Sequence, residues 1–129
     1  MTRPPAASEH PSVLLVDDRP ENLLALAAVL EPLQVRLRTA GSGEDALKAL
    51  LEEDFAVVLL DVMMPEMDGY ETARSIRAMS RFEHLPIISL TAKAMKGDRE
   101  KCIAAGASDY ITKPVDMDQL LSLMRVWLQ

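Results

Sequence analysis

Six apolar residues, Phe55 to Leu60, run without a break and end on Asp61; Pro65 and an Asp68-Gly69 turn follow. A continuous run of this length predicts a strand buried on both faces, the kind found in parallel sheets. Such a strand has no packing reason to end on a charge. An unpaired buried carboxylate costs several kcal/mol, so Asp61 belongs at the open C-terminal edge of the sheet. Open α/β folds bind ligands at that edge. On this stretch alone, Asp61 is equally well explained as a residue that opens a loop or caps a turn.

The rest of the chain repeats the pattern. Val13 to Val16 is a short apolar run that ends on Asp17-Asp18. Arg19-Pro20-Glu21 opens a helix, with Leu23, Leu26, Ala27 and Leu30 at helical spacing and Pro32 at the exit. Val35-Arg36-Leu37-Arg38 alternates apolar with charged, which predicts a strand with one wet face at a sheet edge. Ser42 is an N-cap for a helix over Glu44–Leu51, and Asp68-Gly69 leads into another through about Ser80. Pro86 starts a strand, Ile87 to Leu90, that ends on Thr91. A helix from about Lys96 to Ala105 stops at Gly106. Tyr110-Ile111-Thr112 is a short fifth strand ending on Lys113-Pro114. Asp116 or Asp118 caps the last helix, whose stripe is Leu120, Leu123, Met124, Trp127 and Leu128. Strand and helix alternate five times, which predicts an α/β fold with a parallel sheet covered by helices on both faces.

Composition narrows the function classes. The 129 residues fit one domain, expected over residues 13–129, after a disordered leader, Met1 to Ser12, that holds Pro4, Pro5 and Pro11. A net charge of −6 argues against nucleic acid and against anionic membranes. The single cysteine excludes an internal disulfide, and a reducing compartment is its natural home. Cys102 falls in a helical pattern and reads as packing, as do most of the eight methionines. No signal-peptide core is visible, and the apolar helical stretch Leu23 to Leu30 is too short to span a bilayer, so a cytoplasmic location is expected.

Parallel strands bring their C-terminal ends to one edge. Strand one delivers Asp17 and Asp18 there, strand three Asp61, strand four Thr91 and strand five Lys113. Each alone has a plain explanation: Asp18 as a cap of the first helix, Thr91 as a cap of the fourth, Lys113 as a solvated loop charge. Together they make a polar cluster at a ligand-binding edge. Neighbouring carboxylates repel by roughly 4 kcal/mol per pair at about 4 Å and an effective dielectric of about 20. A hard divalent cation such as Mg²⁺ removes that cost. Asp61 would then serve as a nucleophile that forms an aspartyl phosphate. Metal and Lys113 would neutralise the transferring phosphoryl group, Thr91 would donate a hydroxyl to it, and the small Ala92 would leave access.

Asp17-Asp18, Asp61 before Met63-Met64-Pro65, Asp68-Gly69, Thr91-Ala92 and Lys113-Pro114 resemble the receiver domain of two-component response regulators. The resemblance covers Ser12 to Leu128 in order. It implies a flavodoxin-like fold with strand order 2-1-3-4-5. It implies that Asp61 takes a phosphoryl group from a histidine kinase or a histidine phosphotransfer protein, without turnover of an external substrate. Asp18, Asp61 and the Met63 carbonyl would ligate Mg²⁺, with Asp17 acting through water. Met63, Thr91, Ala92 and Lys113 would hold the phosphoryl group. Thr91 and Tyr110 would be the switch, and the Lys113–Pro114 bond would be cis. The signalling surface toward a downstream target would be the fourth helix, fifth strand and fifth helix, in a monomer or a phosphorylation-dependent dimer. Met63 and Lys93 would tune the phosphate lifetime. The run Thr91 to Asp98 is most similar to receivers of hybrid sensor histidine kinases. The chain's own Met1 and polar leader lean toward a stand-alone receiver.

Three rivals fit less well. Gly41-Ser42-Gly43-Glu44-Asp45-Ala46 matches a dinucleotide fingerprint, but after the second strand rather than the first, and it leaves the other polar strand ends without work. An Asp-nucleophile phosphatase resembles a D-x-D motif, and Asp61-Val62-Met63 lacks the second acid. A binding module that has lost phosphorylation would not need the intact cluster. His10 and His84 lie away from the predicted edge, so neither is a candidate phosphodonor.

Overall fold

The structure, a computed structural model, describes residues 10–92 and 97–128. Strands β1 (Ser12–Val16), β2 (Arg36–Ala40), β3 (Val57–Asp61), β4 (Ile87–Thr91) and β5 (Asp109–Thr112) form one parallel sheet in the order β2-β1-β3-β4-β5. That is the expected order 2-1-3-4-5. Helices α1 (Pro20–Leu30), α2 (Gly43–Glu52), α3 (Gly69–Arg77), α4 (Asp98–Ala104) and α5 (Met117–Trp127) connect and follow the strands.

The central strands explain the two-sided burial. Leu14, Val16, Val58, Leu60 and Ile87 face α2 and α3, where they meet Ala46, Ala49, Leu50, Ala73 and Ile76. Their alternate neighbours Val13, Leu15, Val57, Leu59 and Ile88 face α1 and α5, where they meet Leu26, Leu30, Leu120 and Met124. Strand periodicity sends successive side chains to opposite layers, so an unbroken apolar run suits a sheet covered twice. Each fully buried aliphatic side chain contributes about 1.5–3 kcal/mol.

The caps follow sequence chemistry. The Ser42 side chain accepts from the Asp45 N–H at 3.0 Å, and Asp68 from the Glu71 N–H at 2.9 Å. Asp116, rather than Asp118, caps α5, accepting from the Gln119 N–H at 2.9 Å. Gly106 ends the α4 segment at φ +113°, a left-handed conformation open to glycine.

Several boundaries differ from expectation. β2 begins at Arg36 and continues to Ala40, because the parallel ladder pairs Leu15 with Thr39 and Val16 with Ala40. Leu37 is exposed, so neither face of this edge strand is dry; Arg38 pairs with Glu52 and Glu53. β3 starts at Val57, after a half-buried Phe55 and Ala56. α3 ends at Arg77 rather than near Ser80, since Met79 turns extended before a short 3₁₀ turn, Ser80–Phe82. Two of the methionines read as packing, Met63 and Met117, are exposed, because they sit in the loop after β3 and at the first residue of α5. The last residues of the expected leader are part of the sheet: Ser12 opens β1, and the Pro11 and Ser12 carbonyls accept from the Arg36 and Ala56 N–H groups. The leader up to residue 9, the expected start of the fourth helix at Lys96, and Lys93 lie outside the described residues.

Candidate active site

The register sets the site. β1 and β3 pair Val16 with Leu60, so the residues that follow, Asp17 and Asp61, emerge side by side at the C-terminal edge. β4 and β5 pair Thr91 with Thr112, which brings Lys113 in from the next strand. Asp17, Asp18 and Asp61 each offer a carboxylate oxygen, and these atoms lie within 4.8 Å of one another. Asp17 is 1% exposed and Asp61 2% exposed, whereas Asp18 is not buried.

Asp17 is held on both oxygens. Its Oδ1 accepts from the Arg19 N–H at 3.0 Å, and its Oδ2 accepts from Asn22 Nδ2 at 3.2 Å. Lys113 Nζ lies 3.7 Å from the same Oδ2 and donates to Asp61 Oδ1 at 2.7 Å. Burial pushes the Asp61 carboxyl up, beyond what the Lys113 ammonium and the Met63 N–H pull down, and the Asp17 charge adds to the rise. One ammonium thus serves two buried carboxylates, Asp17 and Asp61, with Asp18 beside them. Three oxygen donors with too little countercharge suit a hard cation. Asp17, Asp18 and Asp61 fit Mg²⁺.

The plain alternatives for these residues do not hold. Arg19 is the N-cap of α1 and makes no side-chain cap bond, so Asp18 does not cap that helix. Gly97, not Thr91, is the N-cap of α4. Thr91 is 4% exposed, and its carbonyl accepts from the Lys113 N–H at 2.7 Å. Ala92 beside it is exposed. The Lys113–Pro114 bond is cis, as expected. Met63 exposes its side chain and turns its N–H to Asp61. Tyr110 is the one candidate away from the carboxylates: it packs with Tyr70 against Val62, Cys102 and Ala107. Cys102 is fully buried there, and burial pushes its thiol up.

Gly69 shapes the wall behind Asp61. A Cβ at this position would collide with the Asp61 carbonyl and the Val62 backbone, so α3 starts pressed against the end of β3. Gly43, in the fingerprint-like run, is likewise a packing glycine, with Thr72 and Met67 against it. His10 meets the Gln34 carbonyl ahead of β2, and His84 is exposed ahead of β4, both at the opposite end of the sheet. Asn22 was not singled out from sequence. Its signal was a lone amide, next to Glu21, in the first turn of a helix that is apolar from Leu23 on.

The family model for the response regulator receiver domain matches residues 13–125. The chain belongs to the response regulator receiver domain family. This receiver is 39% identical over 127 residues to the sensor protein GacS of Pseudomonas syringae pv. syringae, covering 96% of the chain and 14% of GacS. The chain thus spans about a seventh of that relative. Its fold matches the receiver domain of the Pseudomonas aeruginosa sensor histidine kinase PA1611 at a TM-score of 0.84 and 35% identity, covering 92% of the chain and 98% of that domain. That structure holds a magnesium ion coordinated in the active-site cleft. The receiver domain of Saccharomyces cerevisiae Ssk1, solved in complex with the histidine phosphotransfer protein Ypd1, matches at a TM-score of 0.85 and 26% identity, covering 92% of the chain and 89% of the other. As a receiver, the chain is a signalling domain of two-component phosphorelays, similar to those carried by sensor histidine kinases. No helix among the described residues is long and apolar enough to cross a membrane.

Proposed function

We propose that Asp61 accepts a phosphoryl group from a phosphohistidine on a histidine kinase or a histidine phosphotransfer protein. The Asp61 oxygen bonds to phosphorus as the P–N bond breaks, and the imidazole leaves. The observation that carries this reading is Lys113 Nζ at 2.7 Å from Asp61 Oδ1, inside a cluster whose three carboxylates converge within 4.8 Å.

Asp17, Asp18, Asp61 and the Met63 carbonyl would hold Mg²⁺, which supplies countercharge to the phosphoryl oxygens. Lys113 stays beside Asp61 and offsets the negative charge that arrives. Thr91 gives its hydroxyl and Ala92 its backbone to the phosphoryl group; Met63 lines a cleft with Asp18 and Arg19. Thr91 and Tyr110 form the switch, and α4, β5 and α5 present the result to a downstream target. Support for the switch lies in the packing of Tyr110 against the cluster of Val62, Cys102 and Ala107, in which Val62 is the residue after Asp61. The receiver hydrolyses its own acyl phosphate slowly and turns over no external substrate. Residues 13–129, with the start of β1 ahead of them, form the receiver, and the residues before Pro11 a leader. Pro11 and Ser12 belong to the receiver rather than the leader, since their carbonyls accept from the Arg36 and Ala56 N–H groups. The receiver works in the cytoplasm, as a monomer or as a dimer formed on phosphorylation.

The test is intact mass after incubation with a small phosphodonor and Mg²⁺. One phosphoryl addition that needs Mg²⁺ and is absent in Asp61→Asn is expected. No addition from either the small donor or a phosphohistidine protein would overturn the reading.

A further inference from the structure

We infer that Asn22 is a positioning residue that keeps Lys113 committed to Asp61 by satisfying Asp17 with a neutral donor. The inference rests on the phosphoacceptor reading above and goes beyond it.

Asp17 is nearly closed to water, so its carboxylate depends on protein donors. The Arg19 N–H serves Oδ1. Oδ2 has two candidates, the Asn22 amide at 3.2 Å and the Lys113 ammonium at 3.7 Å. Lys113 meanwhile sits at 2.7 Å from Asp61 Oδ1. One ammonium thus stands between two buried carboxylates and leans to one of them. The amide is what makes that lean affordable to Asp17: it removes the need for a cation without adding charge. Take the amide away and Lys113 becomes the nearest donor left to Oδ2. Its move would shift the positive charge from Asp61 onto Asp17 and would leave Asp61 without its partner. Partners that orient ligand carboxylates typically change metal affinity by about 10- to 100-fold when lost.

Asn22 reaches Asp17 from the first turn of α1, across a groove that Leu26, Lys113 and Val115 also line. The amide is part of the groove wall, so its replacement alters the site without disturbing the sheet.

The test uses metal-free wild-type protein, Asn22→Leu, Asn22→Ala and Asn22→Gln. Each is titrated with MgCl₂ by calorimetry, and its thermal unfolding is followed without metal. Small-phosphodonor rates are then measured across Mg²⁺ concentrations. Asn22→Leu keeps the heavy-atom branching, with bulkier methyl ends, and loses the donor; Asn22→Ala asks the groove to take no new atoms. Both are expected to weaken Mg²⁺ binding by about 10-fold. They should raise the Mg²⁺ concentration for half-maximal rate. Asn22→Gln, which keeps an amide donor, should restore most of the affinity. Wild-type affinity in both Asn22→Leu and Asn22→Ala overturns the inference. So does equal weakening in all three variants with matching losses of thermal stability, the mark of a packing role alone. A wild type that binds no Mg²⁺ and takes no phosphoryl group overturns the parent reading instead.

Discussion

The backbone N–H of Lys113 donates to the Thr91 carbonyl at 2.7 Å, so two candidate site residues on neighbouring strands are tied through their main chains. Neither side chain is spent on that tie. Substituting the Lys113 side chain therefore tests its charge without moving the loop that carries it.

Lys113→Gln is expected to destabilise the metal-free protein by about 1–3 kcal/mol, because it leaves the buried Asp61 charge without its partner. Adding Asp61→Asn to Lys113→Gln should recover most of that loss, and Asp61→Asn alone should be neutral or stabilising. Urea unfolding of the two single variants and the double variant measures the coupling.

Mg²⁺ should raise the unfolding temperature of the wild type, since it binds the folded cluster and relieves repulsion. At a hundredfold excess over its dissociation constant the gain is about 2.7 kcal/mol. A chelator should reverse it. Asp18→Asn should blunt the response, as read by differential scanning calorimetry with and without the metal.

Gly69→Ala places a Cβ against the Asp61 carbonyl and the Val62 backbone, which cannot step aside as a flexible side chain can. A cost of about 1–3 kcal/mol is expected. The same displacement should slow phosphoryl uptake, so denaturation midpoint and intact-mass kinetics should change together.

The Cys102 thiol is raised by burial, so the folded state favours its protonated form. The stabilisation this gives is complete below the unfolded thiol value, about 8.5, and is lost as pH climbs from there through the higher folded value. Stability should therefore fall above about pH 8.5 more steeply in wild type than in Cys102→Ala. Alkylation of Cys102 should follow unfolding and not precede it; urea melts across pH and timed mass spectrometry check both.

Arg77 donates to the Gly106 carbonyl at 2.8 Å, the Phe82 carbonyl at 2.7 Å and Ser108 Oγ at 3.2 Å. Ser108 Oγ in turn accepts from the Ile87 N–H at 3.1 Å, ahead of β4. Arg77→Lys cannot reproduce this fork and should lose about 1–3 kcal/mol. Because the network lies at the end of the sheet away from the carboxylates, Mg²⁺ affinity should stay at the wild-type level.

Sequence made the sheet legible because its information is local and redundant. Val13 to Val16, Phe55 to Leu60 and Ile87 to Leu90 are apolar runs with polar ends, and parallel topology then forces those ends together. Asp17, Asp18, Asp61, Thr91 and Lys113 could be read as one constellation for that reason. The limits of β2 and α3 could not. They depend on which Cα faces which across the ladder, and on a backbone turn at Met79 that no side chain announces. Asn22 was invisible for a different cause. A single amide has meaning only once the carboxylate it serves has a position, and Asp17 acquires that position through folding. Arg77 escaped notice in the same way, since helical spacing accounted for it before its three acceptors were known.

Gly69 makes the two flanks of Asp61 mechanically unequal. On the α3 flank, helix and strand touch backbone to backbone with no side chain between them to compress. On the α4 flank, the contact is a small set of side chains, Val62, Cys102 and Ala107, with two half-buried tyrosines leaning on it. Bulk added to Asp61 meets an anvil on one side and a cushion on the other.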